Sequence, residues 1–327
     1  GEAALATEGN LNNHIGVPLT LLAMPPETEV AVVEMGTNQP GDIEQLCEIA
    51  RPTHGLLTNI GKEHLEGFGS IEGVKKAEGE LYRYLARHNG WVFVNLSEKY
   101  LSTMTRSNRR KIRYMRSATL EARDDEETIS IMLTGETPFV GAAFIADDSG
   151  NAVEVQTQLA GRHNFNNIMT AIALGIYFKV PAKKIKAALE GYVPANNRSQ
   201  LLQRGSNTIF LDAYNANPSS VRPALESLHA MPGARKVAIL GDMLELGADS
   251  LKEHEAILRF AARLKPDVIV LVGPEFGRTN YARFRALHFP NTAAAKVWFG
   301  KQAFEDSLIL IKGSRGIRLE DLLGPDI

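Results

Sequence analysis

Cysteine is almost missing: 327 residues hold a single one, Cys47. One thiol excludes an intramolecular disulfide, and its place in an apolar helical pattern predicts a buried, unreactive side chain suited to a reducing cytoplasm. Long apolar runs are missing too. None reaches the ~18 residues that a membrane-spanning helix needs, so no membrane role is expected. Nor does one charge dominate, since 36 Lys and Arg face 38 Asp and Glu for a net charge of −2. Nucleic-acid binding calls for a clustered basic surface, so that partner class is excluded. The densest basic run, "RSNRRKIRYMR" (106–116), alternates with apolar residues and is balanced by "EARDDEE" (121–127). It reads as a solvated edge strand rather than a polyanion site. Several catalytic motifs are lacking as well. Without GxxxxGK[ST] these residues hold no phosphate loop, and without GxGxxG after a strand a dinucleotide dehydrogenase is disfavoured. There is no GxSxG and no clustered Cys/His spacing for zinc.

What is present is the make-up of an ordinary soluble globular protein, 44% hydrophobic and 23% charged. The length suits roughly two domains of ~150 residues each. The opening "GEAALATEGNLNNHIGVPLT" has no initiator Met and no targeting pattern, and residues 9–16 pack two Gly, three Asn and a His into a polar, turn-prone loop. Strand and helix then alternate. "EVAVVEMG" (29–36) reads as a buried parallel strand, "GDIEQLCEIA" as a helix, "THGLLTNIG" as a second buried strand, "SIEGVKKAEGELYRYLARH" as one helix capped by Ser70, and "WVFVN" as a third strand. Such β-α-β repeats imply a doubly wound parallel sheet. From about 108 to 158 the texture changes to short alternating segments and polar turns, which predicts a small antiparallel subdomain. "GRHNFNNIMTAIALGIYF" and "PAKKIKAALEGY" return to helix. "VPANNRSQ" (193–200) marks a boundary, giving domains over 1–196 and 197–327. The second half restarts the alternation as a smaller Rossmann-like α/β domain that closes on a helix, "IRLEDLL".

In open α/β sheets ligands gather at the carboxyl ends of the strands, and the polar strings fall there. Glu34 ends a predicted strand: it can hold Mg²⁺, a hard cation that takes oxygen ligands, or simply bond loop amides. His64 follows the next strand and is either a second ligand at the same sheet edge or a structural loop histidine. "GRHNFNN" (161–167) opens a helix whose amides attract anions, though capping alone explains it. Asp212, Tyr214 and Asn215 follow another strand, where an Asp bonds a ribose hydroxyl or fixes a turn. Lys312, Ser314 and Arg315 come after a late strand. Arg offers a planar fork to carboxylates, yet a Lys–Arg pair on a loop is commonplace.

Together, "GNLNNHIGVPLTLL", "VVEMGTNQPGDI", "TNIGKEHLEGFGSIEGV", "GRHNFNNIMTAIA", "DAYNANPSS", "LGDMLELG" and "KGSRG" resemble the Mur ligase family. They occur in the family's order over nearly the whole chain. "GNLNN", "YNANP" and "KGSR" favour the branch that adds D-Ala-D-Ala. The resemblance implies a central doubly wound sheet with an antiparallel subdomain and a C-terminal ligase domain that closes over it. It also implies a cytoplasmic, monomeric, ATP-dependent amide ligase of peptidoglycan precursor synthesis. Its partners would be ATP, Mg²⁺, UDP-N-acetylmuramoyl-tripeptide and D-Ala-D-Ala. On this basis Glu34 and His64 hold Mg²⁺, Asn167 meets adenine, Arg198 the phosphates and Asp212 the ribose. Tyr214 and Asn215 lie close to the nucleotide. Asn12 and Asn13 face the UDP-sugar peptide, while Lys312, Ser314 and Arg315 hold a substrate carboxylate.

Two departures from the pattern shape the expectation. The family's N-terminal domain and GxxGKT loop would precede residue 1, so the opening reads as a cut edge, and a complete ATP site is not expected in these residues. Where relatives carry a carbamylated lysine that holds a second Mg²⁺, alignment of "GVKKAEGEL" puts Glu78, a shorter carboxylate. Lys76 is the rival, but two residues turn it ~200° to another helix face. The alternatives are a sister ligase with another amine acceptor, folylpolyglutamate synthase included, and a catalytically dead module that senses precursors.

Overall fold

The computed structural model describes residues 4–62, 65–120, 128–146 and 150–324. Two compact units divide the chain, one built on residues 1–115 and the other on 130–327, with 116–129 shared out between them.

The first unit opens with β1 (Ala4–Ala6), α1 (Gly16–Leu22) and β2 (Val30–Val32). The sequence predicts a buried strand over 29–36, but β2 is three residues long and Val32 is 58% exposed. A parallel strand is buried by neighbours on its edges and faces, and among the described residues β2 pairs with β1 alone. Helix α2 (Asp42–Ala50) turns Ile43, Leu46 and Cys47 inward, as its spacing predicts, whereas Ile49, which the same spacing includes, is exposed. Burial, with Glu48, Glu80 and Glu44 close by, pushes the Cys47 thiol up to about 12, so it is inert at neutral pH. After β3 (His54–Leu56) and α3 (Leu65–Phe68), the single helix expected over 70–88 is two, α4 (Ile71–Glu78) and α5 (Glu80–Arg87). They part at Gly79, which costs about 1 kcal/mol relative to alanine inside a helix. Ser70 caps α4 as predicted, its hydroxyl accepting from Gly73 N at 3.2 Å.

Strand β4 (Trp91–Asn95), helix α6 (Leu101–Met104) and strand β5 (Arg110–Ser117) follow. β3, β4 and β5 pair in parallel, with Gly55 opposite Val92 and Phe93 opposite Ile112. The basic run therefore contributes a parallel strand, with Ile112 and Tyr114 buried between outward arginines. That is a correction to the solvated edge strand and to an antiparallel segment starting near 108. Alternation put the arginines outward; a hydrogen-bonded partner as far back as Trp91 was not visible in it.

The second unit takes in β6 (Thr128–Gly135), β7 (Phe139–Ile145) and β8 (Ala152–Ala160), where β7 runs antiparallel to both neighbours. Helices α7 (Asn164–Tyr177) and α8 (Ala182–Gly191) come next. The remainder runs β9 (Gln200–Arg204), β10 (Asn207–Asp212), α9 (Pro218–Ala230), β11 (Arg235–Gly241), α10 (Ser250–Arg263) and β12 (Val268–Val272), then α11 (Pro274–Gly277), β13 (Leu287–Phe289), α12 (Thr292–Phe299) and β14 (Ser307–Lys312). These strands form one sheet of order β13-β12-β11-β14-β10-β9, parallel except for the β9–β10 hairpin. Ile209, Leu211, Val237, Ile239, Ile309 and Ile311 fill its core. Asn217 caps α9 in a capping box with Ser220. The closing "IRLEDLL" forms 3₁₀ turns in place of the expected α-helix, because Arg318 adopts a left-handed φ of 57° between them. Among the described residues no helix is long and apolar enough to cross a membrane.

Candidate functional site

In the first unit the loops after β1, β2 and β3 pack on one another. Asn12 Nδ2 donates to Glu34 Oε1 at 2.9 Å, and Thr7 Oγ1 accepts from Glu34 N at 2.9 Å. A Cβ on Gly36 would lie 2.9 Å from the Asn12 side chain, and one on Gly67 would lie 2.1 Å from Asn38 O. At Gly67 the neighbour is a backbone oxygen, so only glycine permits that close approach of α3 to the loop after β2. Glu34 is exposed, past the end of β2. His64 lies outside the described residues. Asn13 is exposed, and its Oδ1 accepts from Ile15 N at 3.0 Å and Gly16 N at 2.9 Å, at the start of α1. Glu78 ends α4, half-buried, and its charge reaches the buried Tyr82 phenol. Glu80, unnoticed in the sequence, accepts from Gly41 N at 2.8 Å and Glu44 N at 3.1 Å. It thus caps α2 from the start of α5. Among the described residues no three acidic, histidine or cysteine groups cluster as a metal site.

In the second unit the expected residues do meet, at the carboxyl ends of β10, β11 and β14. Lys312 is 2% exposed, and its Nζ donates to Asp212 Oδ2 at 2.6 Å and Asn215 O at 3.0 Å. Asp212 Oδ1 accepts from Ser199 N at 3.1 Å. Both members of this pair are engaged within the fold, so Lys312 is not the outward cation that the sequence suggested. Ser314 is likewise buried. Its Oγ accepts from Leu244 N at 2.9 Å and donates to Ala216 O at 3.2 Å, tying the loops after β10, β11 and β14 together. What does face outward is a stack: the Arg198 guanidinium lies 3.7 Å from the Tyr214 ring centroid and that of Arg315 lies 5.3 Å from it. Two cations on one ring make a surface for anions.

The start of α7 differs from simple capping, since no side chain caps it. Asn164 donates to Ala160 O at 2.7 Å and accepts from Asn167 Nδ2 at 3.1 Å, so it orients the exposed Asn167. Burial lowers the pKa of His163 against the pull of nearby Asp212, with Lys312 adding to the lowering.

Sequence reading also missed Asp242 and His254. Asp242 ends β11, and its carboxylate accepts from Glu275 N at 2.8 Å and Phe276 N at 2.9 Å, at the start of α11. His254 Nε2 accepts from Met243 N at 3.0 Å, while Nδ1 faces Ser250 O at 2.8 Å. The ring is therefore neutral with its proton on Nδ1. Its one signal in the sequence was a His on the apolar face of a helix, beside Ile257 and Leu258. Burial holds the His254 pKa below its ordinary value, although Ser250 O, Asp242 and Glu275 pull it up. The unfolded chain thus binds a proton near pH 6.5 that the folded chain refuses. Stability is expected to fall as pH drops below about 6.5. Denaturant midpoints at pH 7.5 and 5.5 should differ less for His254→Gln, which keeps an acceptor for Met243 N, than for the parent.

Comparison with known proteins matches residues 2–175 to the Mur ligase middle domain and 197–315 to the Mur ligase glutamate ligase domain. The chain is 34% identical over 323 residues to UDP-N-acetylmuramoyl-tripeptide–D-alanyl-D-alanine ligase of Escherichia coli K12, covering 98% of this chain and 70% of that protein. It is 31% identical over 328 residues to the ligase of the same name from Bacillus subtilis 168, covering 97% and 68%. Among solved structures, MurF from Acinetobacter baumannii superposes with a TM-score of 0.82 at 28% identity, covering 98% of this chain and 70% of that one.

Proposed function

The chain belongs to the Mur ligase family, and from that premise we propose that it is an ATP-dependent amide ligase joining D-Ala-D-Ala to UDP-N-acetylmuramoyl-tripeptide in peptidoglycan precursor synthesis. We take residues 1–196 as its central domain and 197–327 as its ligase domain, working as a cytoplasmic monomer. The observation that carries the reading is the Arg198–Tyr214–Arg315 stack beside the Asp212–Lys312 pair, at the sheet edge where α/β proteins take ligands.

In the proposed reaction the tripeptide carboxylate attacks the γ-phosphorus of ATP, the bond to ADP breaks, and an acyl phosphate forms. The amine of D-Ala-D-Ala attacks its carbonyl carbon, the C–O bond to phosphate breaks, and the amine loses a proton as the amide forms. Two anions must first approach each other. Arg198, held against the Tyr214 ring, offers a fixed cation to the phosphates. Asp212, locked by Lys312 and Ser199 N, is positioned for the ribose, while Asn167 and Asn215 flank the base and sugar. Asn12, through Glu34, and Asn13, through α1, shape the loop on the precursor side.

Mg²⁺ binds proteins through one or two carboxylates plus phosphate oxygens and water, and Glu34 fits that demand. Its carboxylate is exposed, and one oxygen is oriented by Asn12. His64 and Glu78 are the other proposed ligands. The ion supplies charge neutralisation when bound. Glu78 in the place of a carbamate is expected to make Glu78→Gln turn over far more slowly, with a flatter dependence on Mg²⁺ concentration. Steady-state rates across a Mg²⁺ series check this, and unchanged curves would remove Glu78 from the ligand set. Lys76 is exposed on another face of α4 and does not share its position. The reading as a whole is tested by ADP release with D-Ala-D-Ala, diaminopimelate, lysine and glutamate as rival acceptors. The dipeptide alone should stimulate it, and preference for any other acceptor would point to a sister ligase.

A further inference from the structure

Asp242 and His254 form a fully buried polar pair that the proposed reaction does not use. Asp242 is engaged at every polar atom. Its N donates to Val272 O at 3.0 Å, its O accepts from Ser314 N at 3.1 Å, and its carboxylate oxygens accept from Glu275 N and Phe276 N. The ends of β11 and β14 also touch: a Cβ on Gly313 would lie 3.0 Å from Gly241 Cα. The next amide, Met243 N, turns the other way and donates to His254 Nε2 at 3.0 Å, while Leu244 N returns to Ser314 Oγ at 2.9 Å. Glu245 then takes a left-handed φ of 64°, uncommon for a residue with a side chain and kept only where neighbours impose it. One imidazole nitrogen is thus the acceptor at the root of a loop that is clasped to Ser314, and through Ser314 to Ala216 O beyond β10.

Both nitrogens of this ring are committed. Nδ1 donates to Ser250 O at 2.8 Å and Nε2 accepts from Met243 N, so a second proton has to enter at Nε2 and displace the Met243 amide. Asp242 Oδ1, 3.8 Å from Nε2, is the acceptor to which a protonated ring would turn. The other charges around the ring are Glu275 and Arg278, on and just after α11, whose Phe276 packs edge-on against the imidazole at 4.6 Å. We propose that His254 is a positioning residue for ligation: as a neutral acceptor it sets the loop after β11 against the loops after β10 and β14, and its protonation uncouples them before the unit unfolds. This rests on the functional reading above, and it gives that ligand edge a control by acid that none of the groups proposed to touch substrate supplies.

The test is steady-state kinetics on the full-length protein as its gene encodes it, at saturating substrates from pH 7.5 to 5.0, for the parent, His254→Gln and His254→Leu. At pH 7.5 the leucine variant, which has no acceptor, should lose about tenfold or more in kcat, since a site displaced by about 1 Å loses up to about 10²-fold. Glutamine keeps an acceptor and should restore most of that loss. Glutamine also cannot titrate, so the ratio of His254→Gln to parent kcat should rise at least about threefold from pH 7.5 to 5.0, one proton allowing at most about tenfold per pH unit. Titrations of the substrates and of other groups cancel in that ratio. If the leucine variant melts early, the glutamine ratio decides alone. A flat ratio, a leucine variant with the parent kcat, or a glutamine variant no better than leucine overturns the role. Amide NMR separates this from failure of the functional reading: the Met243 resonance should shift as His254 titrates in the parent and hold still in His254→Gln. That shift in a protein that does not turn over D-Ala-D-Ala overturns the functional reading alone, whereas an unmoved Met243 amide overturns the coupling.

Discussion

Arg198→Ala is expected to lower kcat by about 10²–10³-fold, the usual loss when one fixed group that stabilises transition-state charge is removed. The guanidinium is exposed, so the loss should leave folding nearly untouched. Its Cζ lies 3.7 Å from the Tyr214 ring centroid, a contact that restrains it before any phosphate arrives. An ammonium on a flexible stem has no planar fork, so Arg198→Lys should recover little of the rate. Tyr214→Leu should give a smaller loss than Arg198→Ala, because it removes the support but not the charge. Rates measured at saturating substrates, with thermal melts alongside, check all three variants. Equal kcat for Arg198→Ala and the parent would take Arg198 out of the phosphate site.

The second large effect is on stability. Asp212→Ala is expected to destabilise the second unit by about 3–5 kcal/mol, the cost of leaving one member of a buried ion pair uncompensated. Lys312 is the more deeply buried partner, with three acceptors that all belong to the β10 end. Without Asp212 its charge keeps only backbone carbonyls. Lys312→Met should cost less, because Asp212 is 13% exposed and retains Ser199 N. The double variant Asp212→Ala/Lys312→Met should be more stable than Asp212→Ala alone, since the orphaned charge is gone. Equilibrium denaturation of the four proteins measures the coupling. Strictly additive losses would show that the pair is worth nothing to the fold. All of these variants should also weaken ATP binding, since the pair fixes the carboxylate that is proposed to meet the ribose.

Much of this architecture was legible because helices and buried strands write their own period. The spacing of Ile43, Leu46 and Cys47 and the Ser70 cap returned as read. Features that depend on distant partners were not legible. Lys312 reads as a loop cation until β14 is laid beside β10, one hundred residues away, and its charge meets Asp212. His254 and Ser314 became framework groups only when three strand ends came together. The apolar string of β2 predicted burial, but burial needs neighbours, and among the described residues β2 has one strand beside it. Left-handed Arg318 and the break at Gly79 are local events that periodicity averages away. For the site, the resemblance pointed to Arg198, Asp212 and Tyr214 for the nucleotide and to Lys312, Ser314 and Arg315 for a substrate carboxylate. It could not tell which of them face outward.

The central claim is that the precursor's carboxylate is activated by phosphoryl transfer before the amine attacks. Ligation with both carboxylate oxygens of the UDP-N-acetylmuramoyl-tripeptide labelled with ¹⁸O tests it directly. In the presence of ATP, Mg²⁺ and D-Ala-D-Ala, each released phosphate should carry one ¹⁸O atom and the new amide should keep the other. Unlabelled phosphate would contradict it.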